Sequence, residues 1–160
     1  MIFWSQLINM EKIALKRALK LMHQEWKQNS SKASFHYAFA IRKSKVVAFG
    51  KNNLSDASKT ALRIGRSLNI EKWKEYPYIH AECDVISQLD DKYDKNELEI
   101  ISLRINRTGQ FRFAKPCINC QKTLQILGYK NIWWSLNSQE KTRNLTLTND
   151  TESIEFYDTK

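Results

Sequence analysis

Apolar residues at Met10, Ala14, Ala18, Met22 and Trp26 recur every four positions, with Ile13 and Leu21 alongside. That period predicts an amphipathic helix over roughly residues 9–28, ended by the cluster Asn29-Ser30-Ser31. The pattern then becomes β-rich. Phe35 to Arg42 and Val46 to Phe49 flank Lys43-Ser44 and predict an antiparallel hairpin, which Gly50-Lys51-Asn52-Asn53 leaves. Residues 55–76 are mixed: Ala61, Leu62, Ile64 and Leu68 suit a helix, Lys59, Arg63 and Arg66 share one helical face, and Gly65 weakens it.

A second helix is expected from about His80 to Leu89, followed by an acidic loop. Glu97 to Asn106 reads as a strand, Arg107-Thr108-Gly109 as a turn, and Gln110 to Phe113 as a short returning strand. Pro116 suits a first helical turn and Gly128 a helix stop, so a helix over about 116–127 is expected. Asn131 to Ser135 is a further strand. The tail after about residue 144 is polar and acidic, and reads either as an edge element or as a poorly ordered end. Helix, hairpin, helix, strand, helix, strand is an α/β order, with a sheet covered by helices on both faces.

Length changes this picture little: 160 residues suit one domain, taken as 1–145, with 146–160 as the acidic tail. Three cysteines, two of them at metal spacing, suit a reducing compartment better than a disulfide framework. The opening MIFWSQLINM lacks a basic flank, and no apolar run reaches the length of a membrane span. A cytoplasmic chain is expected, with no membrane partner.

The net charge of +9 is uneven, because residues 81–102 and 146–160 are acidic while the segments before each cysteine- or histidine-bearing motif are basic. The excess reads either as solvated lysine-rich faces or as attraction for a phosphorylated or polyanionic partner.

The candidate chemistry lies in two segments. His80-Ala81-Glu82 comes first, and Pro116-Cys117-Ile118-Asn119-Cys120 follows. A bare Cys-x-x-Cys is common, but His-x-Glu followed at domain distance by Pro-Cys-x-x-Cys is a narrow pattern. Cys117 and Cys120, three apart on a predicted helix, direct both sulfurs to one side, and a helix start favours thiolate. With His80 they make a three-ligand zinc site whose fourth position is left for water. Glu82, two after His80, points away from a ligand position and reads as a proton carrier. Cys83 leaves an alternative, since as a fourth ligand it would close the site into an inert staple; otherwise it is a small core residue. His23 and His36 are given no role.

These motifs resemble the signature of the cytidine/deoxycytidylate deaminase superfamily of zinc-dependent nucleobase deaminases, over about residues 9–143. The resemblance implies a three-layer α/β/α cytidine-deaminase-like fold with a mixed five-stranded sheet. It implies one zinc per chain on His80, Cys117 and Cys120, with Glu82 shuttling protons during hydrolytic deamination of cytosine. The substrate it implies is a cytidine or deoxycytidine nucleotide, with single-stranded nucleic acid or tRNA as the alternative and a nucleic-acid-binding module with structural zinc as the third reading.

Gly50-Lys51-Asn52 is similar to the family's Gly-x-Asn, where the Asn contacts the sugar; read alone it is a turn. Ala81, inside the first motif, is counted among the substrate contacts. Lys59 and Arg63, with Arg112 and Lys115 from the other side, are candidate grips for a phosphate or a nucleic-acid backbone. Of Trp133 and Trp134 at most one should face the core, and Trp134 is a candidate for stacking on a base, against core or oligomer packing. Members of the superfamily often assemble, so a homo-oligomer is among the implied partners.

Overall fold

A computed structural model describes residues 4–28, 34–57, 59–70, 78–89, 91–138 and 144–156. The helix stop at Asn29-Ser30-Ser31 and residues 71–76 of the mixed segment lie outside the described residues.

Helix α1 spans Trp4–Gln28, starting a turn or more earlier than its pattern suggests. It buries Ala14, Leu15, Ala18 and Met22, with Leu19 and Trp26 packed beside them. Ile13 and Leu21, grouped with the apolar stripe in the sequence, are exposed instead. A stripe that follows 3.6 residues per turn reaches Leu15 and Leu19 before it reaches either.

Strands β1 (Ser34–Arg42) and β2 (Lys45–Lys51) form the expected hairpin. Strict alternation along β1 sends Phe35, Tyr37, Phe39 and Ile41 towards α1, while Ala38 and Ala40 join the core on the other face. The rings of Phe39 and Phe49 stack across the hairpin with centroids 4.9 Å apart. Next come β3 (Asn53–Ala57), α2 (Lys59–Leu68), β4 (Tyr78–Ile79) and α3 (Ala81–Leu89). β5 (Leu98–Asn106), β6 (Phe111–Arg112), α4 (Ile118–Ile126) and β7 (Asn131–Ser135) follow. The chain closes with β8 (Leu145–Thr148) and β9 (Ser153–Phe156).

Among the described residues the main sheet has seven strands, in the order β2-β1-β5-β7-β8-β9, with β6 also paired to β5. It is mixed: β5 and β7 run parallel and the other pairs antiparallel. The five strands expected from the sequence are therefore too few. β8 and β9 come from the segment read as a tail, and short alternating runs such as LTLT carry little signal against a polar background. A 1–145 boundary would cut β8 at its first residue.

β5 sits between β1 and β7 and buries apolar residues on both faces, and Ser102 is its fully buried polar residue. One core lies between the sheet and α1; the second gathers Ala81, Val85, Ile86 and Leu89 of α3 with Leu124 of α4 against Ala38, Ala40, Leu98 and Ile100.

α3 is fastened to the outer edge of β2. Gln88 accepts from the Phe49 N–H and donates to its carbonyl, and Asp84 accepts from the Lys51 N–H. This covers backbone groups an edge strand would otherwise expose. Gly50 makes the approach feasible: a Cβ there would lie 2.5 Å from the Ala81 carbonyl oxygen and 2.9 Å from the Val85 nitrogen. Gly50 therefore lies inside a strand, where it lets a helix close in, and not in a turn as the Gly-Asn reading had it. Gly50→Ala should destabilise the fold by about 1–3 kcal/mol, the usual cost of overpacking. Denaturant melts check this, and an unchanged midpoint would show that α3 can move away freely.

Candidate metal centre

The centre is built where the first turns of α3 and α4 meet. His80 immediately precedes α3, and its carbonyl accepts from the Asp84 N–H. α4 begins at Ile118, two residues later than Pro116 suggested. Cys117 is thus the N-cap and not a helical residue, with extended backbone and its sulfur accepting from the Cys120 N–H at 3.5 Å. The cap explains the difference: a thiolate at this position takes up an otherwise unpaired amide of the first turn.

His80 Nδ1 lies 3.4 Å from Cys117 Sγ and 3.3 Å from Cys120 Sγ. All three ligand atoms lie within 4.8 Å of one another. A tetrahedral ion with ordinary zinc bonds, about 2.3 Å to sulfur and about 2.0 Å to nitrogen, would separate the two kinds of ligand by roughly 3.5 Å. The donor set and its spacing fit zinc. Cys83 is wholly buried against Cys120 but is not one of this group.

The electrostatics favour one thiolate before any ion binds. A hydrogen bond with Cys120 pulls the Cys117 thiol down to about 4; burial opposes this, while His80 and the Cys120 amide add to it. Cys120 is pushed well up by Cys117, by Cys83, by burial and by the charge of Glu82.

Glu82 is 1% exposed. Burial works against its charge, but His36, the backbone amide and Ser102 together hold it down at about 2. Its Oε1 lies 2.9 Å from Ser102 Oγ and 3.3 Å from His36 Nε2. Its Oε2 is buried with no hydrogen-bond partner among the described residues. His36 and Ser102 had no assigned role in the sequence reading. The available signals were a histidine on the alanine face of β1 and one hydroxyl inside the apolar run of β5.

Ile64, Leu68 and Ile70 of the α2 segment pack over Cys83, Cys117 and Cys120. The mixed segment thus covers the cluster with its apolar side. Lys59, Arg63 and Arg66 are exposed, so the structure does not bring the candidate cations Lys59 and Arg63 into the centre. Asn52 accepts from the His36 N–H through Oδ1 and donates its own N–H to the His36 carbonyl. Ala81 is buried in the first turn of α3.

Arg112 donates to Gln110, and Lys115 is paired with Asp150 at 3.1 Å while lying 5.2 Å above the Trp134 ring centroid. Trp134 is only 6% exposed, so it presents no open ring face for a base. It is nevertheless the register partner of Ser102 across β5 and β7. Trp133 packs with the core on the α1 side, so the pair divides between the two faces as strand geometry requires. A separate cleft of about 820 Å³ lies on the α1 face, lined among others by Lys12, Lys16, Leu19 and Phe156, away from the centre.

Among the described residues no helix is long and apolar enough to cross a membrane. No protein-family model matches the chain, and neither does any curated protein or solved structure.

Cys83 decides between an open and a closed site. Cys83→Ala should leave zinc near one per chain, at a stability cost of about 1 kcal/mol for the small cavity. Loss of zinc in metal analysis of this variant would make Cys83 a ligand.

Proposed function

We propose that the chain is a zinc-dependent hydrolytic deaminase of the cytidine/deoxycytidylate type, with the three-layer arrangement of that superfamily, acting on the cytosine base of a nucleotide. The observation that carries the reading is a His/Cys/Cys cluster beside a buried carboxylate, one of whose oxygens has no hydrogen-bond partner among the described residues. A closed structural zinc site has no use for such a carboxylate, whereas a hydrolytic site requires one.

His80, Cys117 and Cys120 would hold the ion, and two thiolates with a neutral imidazole would balance its charge. Bound zinc would supply Lewis acidity that makes water easier to deprotonate near neutral pH. Glu82 is a carboxylate at that pH, the form that accepts a proton. Its Oε2 takes a proton from the attacking water and passes it to the ring nitrogen of the base. The water oxygen bonds to the amine-bearing carbon, Glu82 carries the remaining hydroxyl proton to the amine, and the C–N bond breaks to release ammonia and leave uracil. Asn52, with its oxygen engaged on His36, has its amide NH2 group to offer a sugar hydroxyl. Lys115 and Arg112, on the Trp134 side, are the cations we assign to a phosphate.

The exposed basic residues of α2, on the segment that covers the cluster, favour a second reading in which the substrate is single-stranded nucleic acid. Ammonia release across dCMP, CMP, deoxycytidine, single-stranded DNA and tRNA tests both. A free nucleotide should be turned over with little change at moderate salt, whereas polynucleotide binding driven by backbone contacts should weaken steeply. Release from none of them would end the proposal.

A further inference from the structure

The hydrogen-bond roles around Glu82 are fixed by what each group can donate. An ionised carboxylate only accepts, so Ser102, 2.9 Å away, gives its single hydroxyl proton to Oε1. Ser102 Oγ also lies 2.6 Å from His36 Nε2. With the serine proton committed, that contact requires Nε2 to carry the hydrogen and the serine oxygen to accept. The same N–H faces Oε1 at 3.3 Å. Two side chains thus donate to one carboxylate oxygen, while the other is buried with no hydrogen-bond partner among the described residues. The arrangement is braced from behind, because Asn52 exchanges two hydrogen bonds with the His36 backbone through its side-chain oxygen and its own amide. His36 and Ser102 come from neighbouring strands, where β1 and β5 pair in register from Ser34 to Arg42.

We infer that His36 and Ser102 are positioning residues for Glu82: they hold Oε1 and so reserve Oε2 for the transferred proton. The inference rests on the deaminase reading for its reaction, but the geometry it asserts exists without metal or substrate. A carboxylate free to rotate would exchange its two oxygens and spend much of its time misdirected, and misplacement by about 1 Å can cost about a hundredfold in rate.

The test uses His36→Phe, which keeps a ring and loses the donor, Ser102→Ala, and His36→Gln, whose amide can still donate. On the best substrate, His36→Phe and Ser102→Ala should each lower kcat about 10- to 100-fold with KM within about threefold, in line with losses at groups that orient a metal site. Zinc should stay near one per chain, and the double variant should be little worse than the weaker single. His36→Gln should recover most of kcat. A purely structural role would instead lower the melting temperature and zinc content together, without rescue by Gln.

Independently of activity, the carboxyl carbon resonance of Glu82 in the metal-free protein should shift in His36→Phe and move back in His36→Gln. If Ser102→Ala fails to fold, Ser102→Thr, which keeps the hydroxyl, should retain the wild-type resonance. An unmoved resonance in His36→Phe, or an unchanged kcat in a folded His36→Phe, overturns the inference. If the wild type releases ammonia from no substrate, the deaminase reading fails while the resonance still decides the positioning claim.

Discussion

Glu82→Gln should reduce turnover by about 10³-fold or more while leaving zinc near one per chain and the fold intact. General acid–base groups commonly contribute 10²–10⁴-fold, and Glu82 is assigned two proton transfers in succession. The substitution is nearly isosteric. A glutamine oxygen can still accept from Ser102 and His36 where Oε1 does now. Only the unpartnered Oε2 becomes an amide nitrogen, which cannot take a proton. The variant therefore separates chemistry from architecture. Steady-state kinetics and metal analysis on the same preparation check it. Turnover within about tenfold of wild type would remove Glu82 from the reaction, and zinc loss would make it a ligand.

The second large effect is on the metal. Cys120→Ala should abolish stoichiometric zinc and all turnover, and should lower stability more than a buried cysteine of ordinary role would. Cys120 is 1% exposed and joins His80, Cys117 and the α2 segment in one cluster. Its loss leaves two ligands, too few to compete with water for zinc. Any ion that binds only the folded chain stabilises it by mass action, so a chelator should lower the wild-type melting temperature and leave that of Cys120→Ala unchanged. About 2–4 °C per kcal/mol is the scale expected for a chain of this size. Thermal melts with and without chelator, alongside metal analysis, read this directly. A chelator effect of equal size in both proteins would place the metal elsewhere.

What the sequence made legible follows from where its signals are strong. His80, Cys117 and Cys120 were readable because metal ligands need particular atoms at particular spacings, and the structure brings all three together. The hairpin and β5 were readable from β-rich segments bounded by turn residues. The start of α4 was misread by two residues because proline marks a helix entrance without saying that Cys117 itself would cap it.

The tail was left open because β8 and β9 gain most of their order from pairing with β7 and with each other, a long-range effect that four-residue strands do not advertise. His36 and Ser102 were passed over for a related reason. Each is unremarkable in its own strand, and their meaning appears only when β1 and β5 pair and α3 lays Glu82 across them. For Lys59 and Arg63 a shared basic face was readable, but not that the apolar side of α2 would cover the cysteines while those cations stay exposed.

The central claim is a three-ligand zinc site with one position left by the protein. X-ray absorption at the zinc edge of the loaded chain measures it most directly. The account predicts two sulfur neighbours near 2.3 Å and two lighter neighbours near 2.0 Å, with the spectrum unchanged in Cys83→Ala. A third sulfur, lost in that variant, would contradict it and turn the centre into a closed staple.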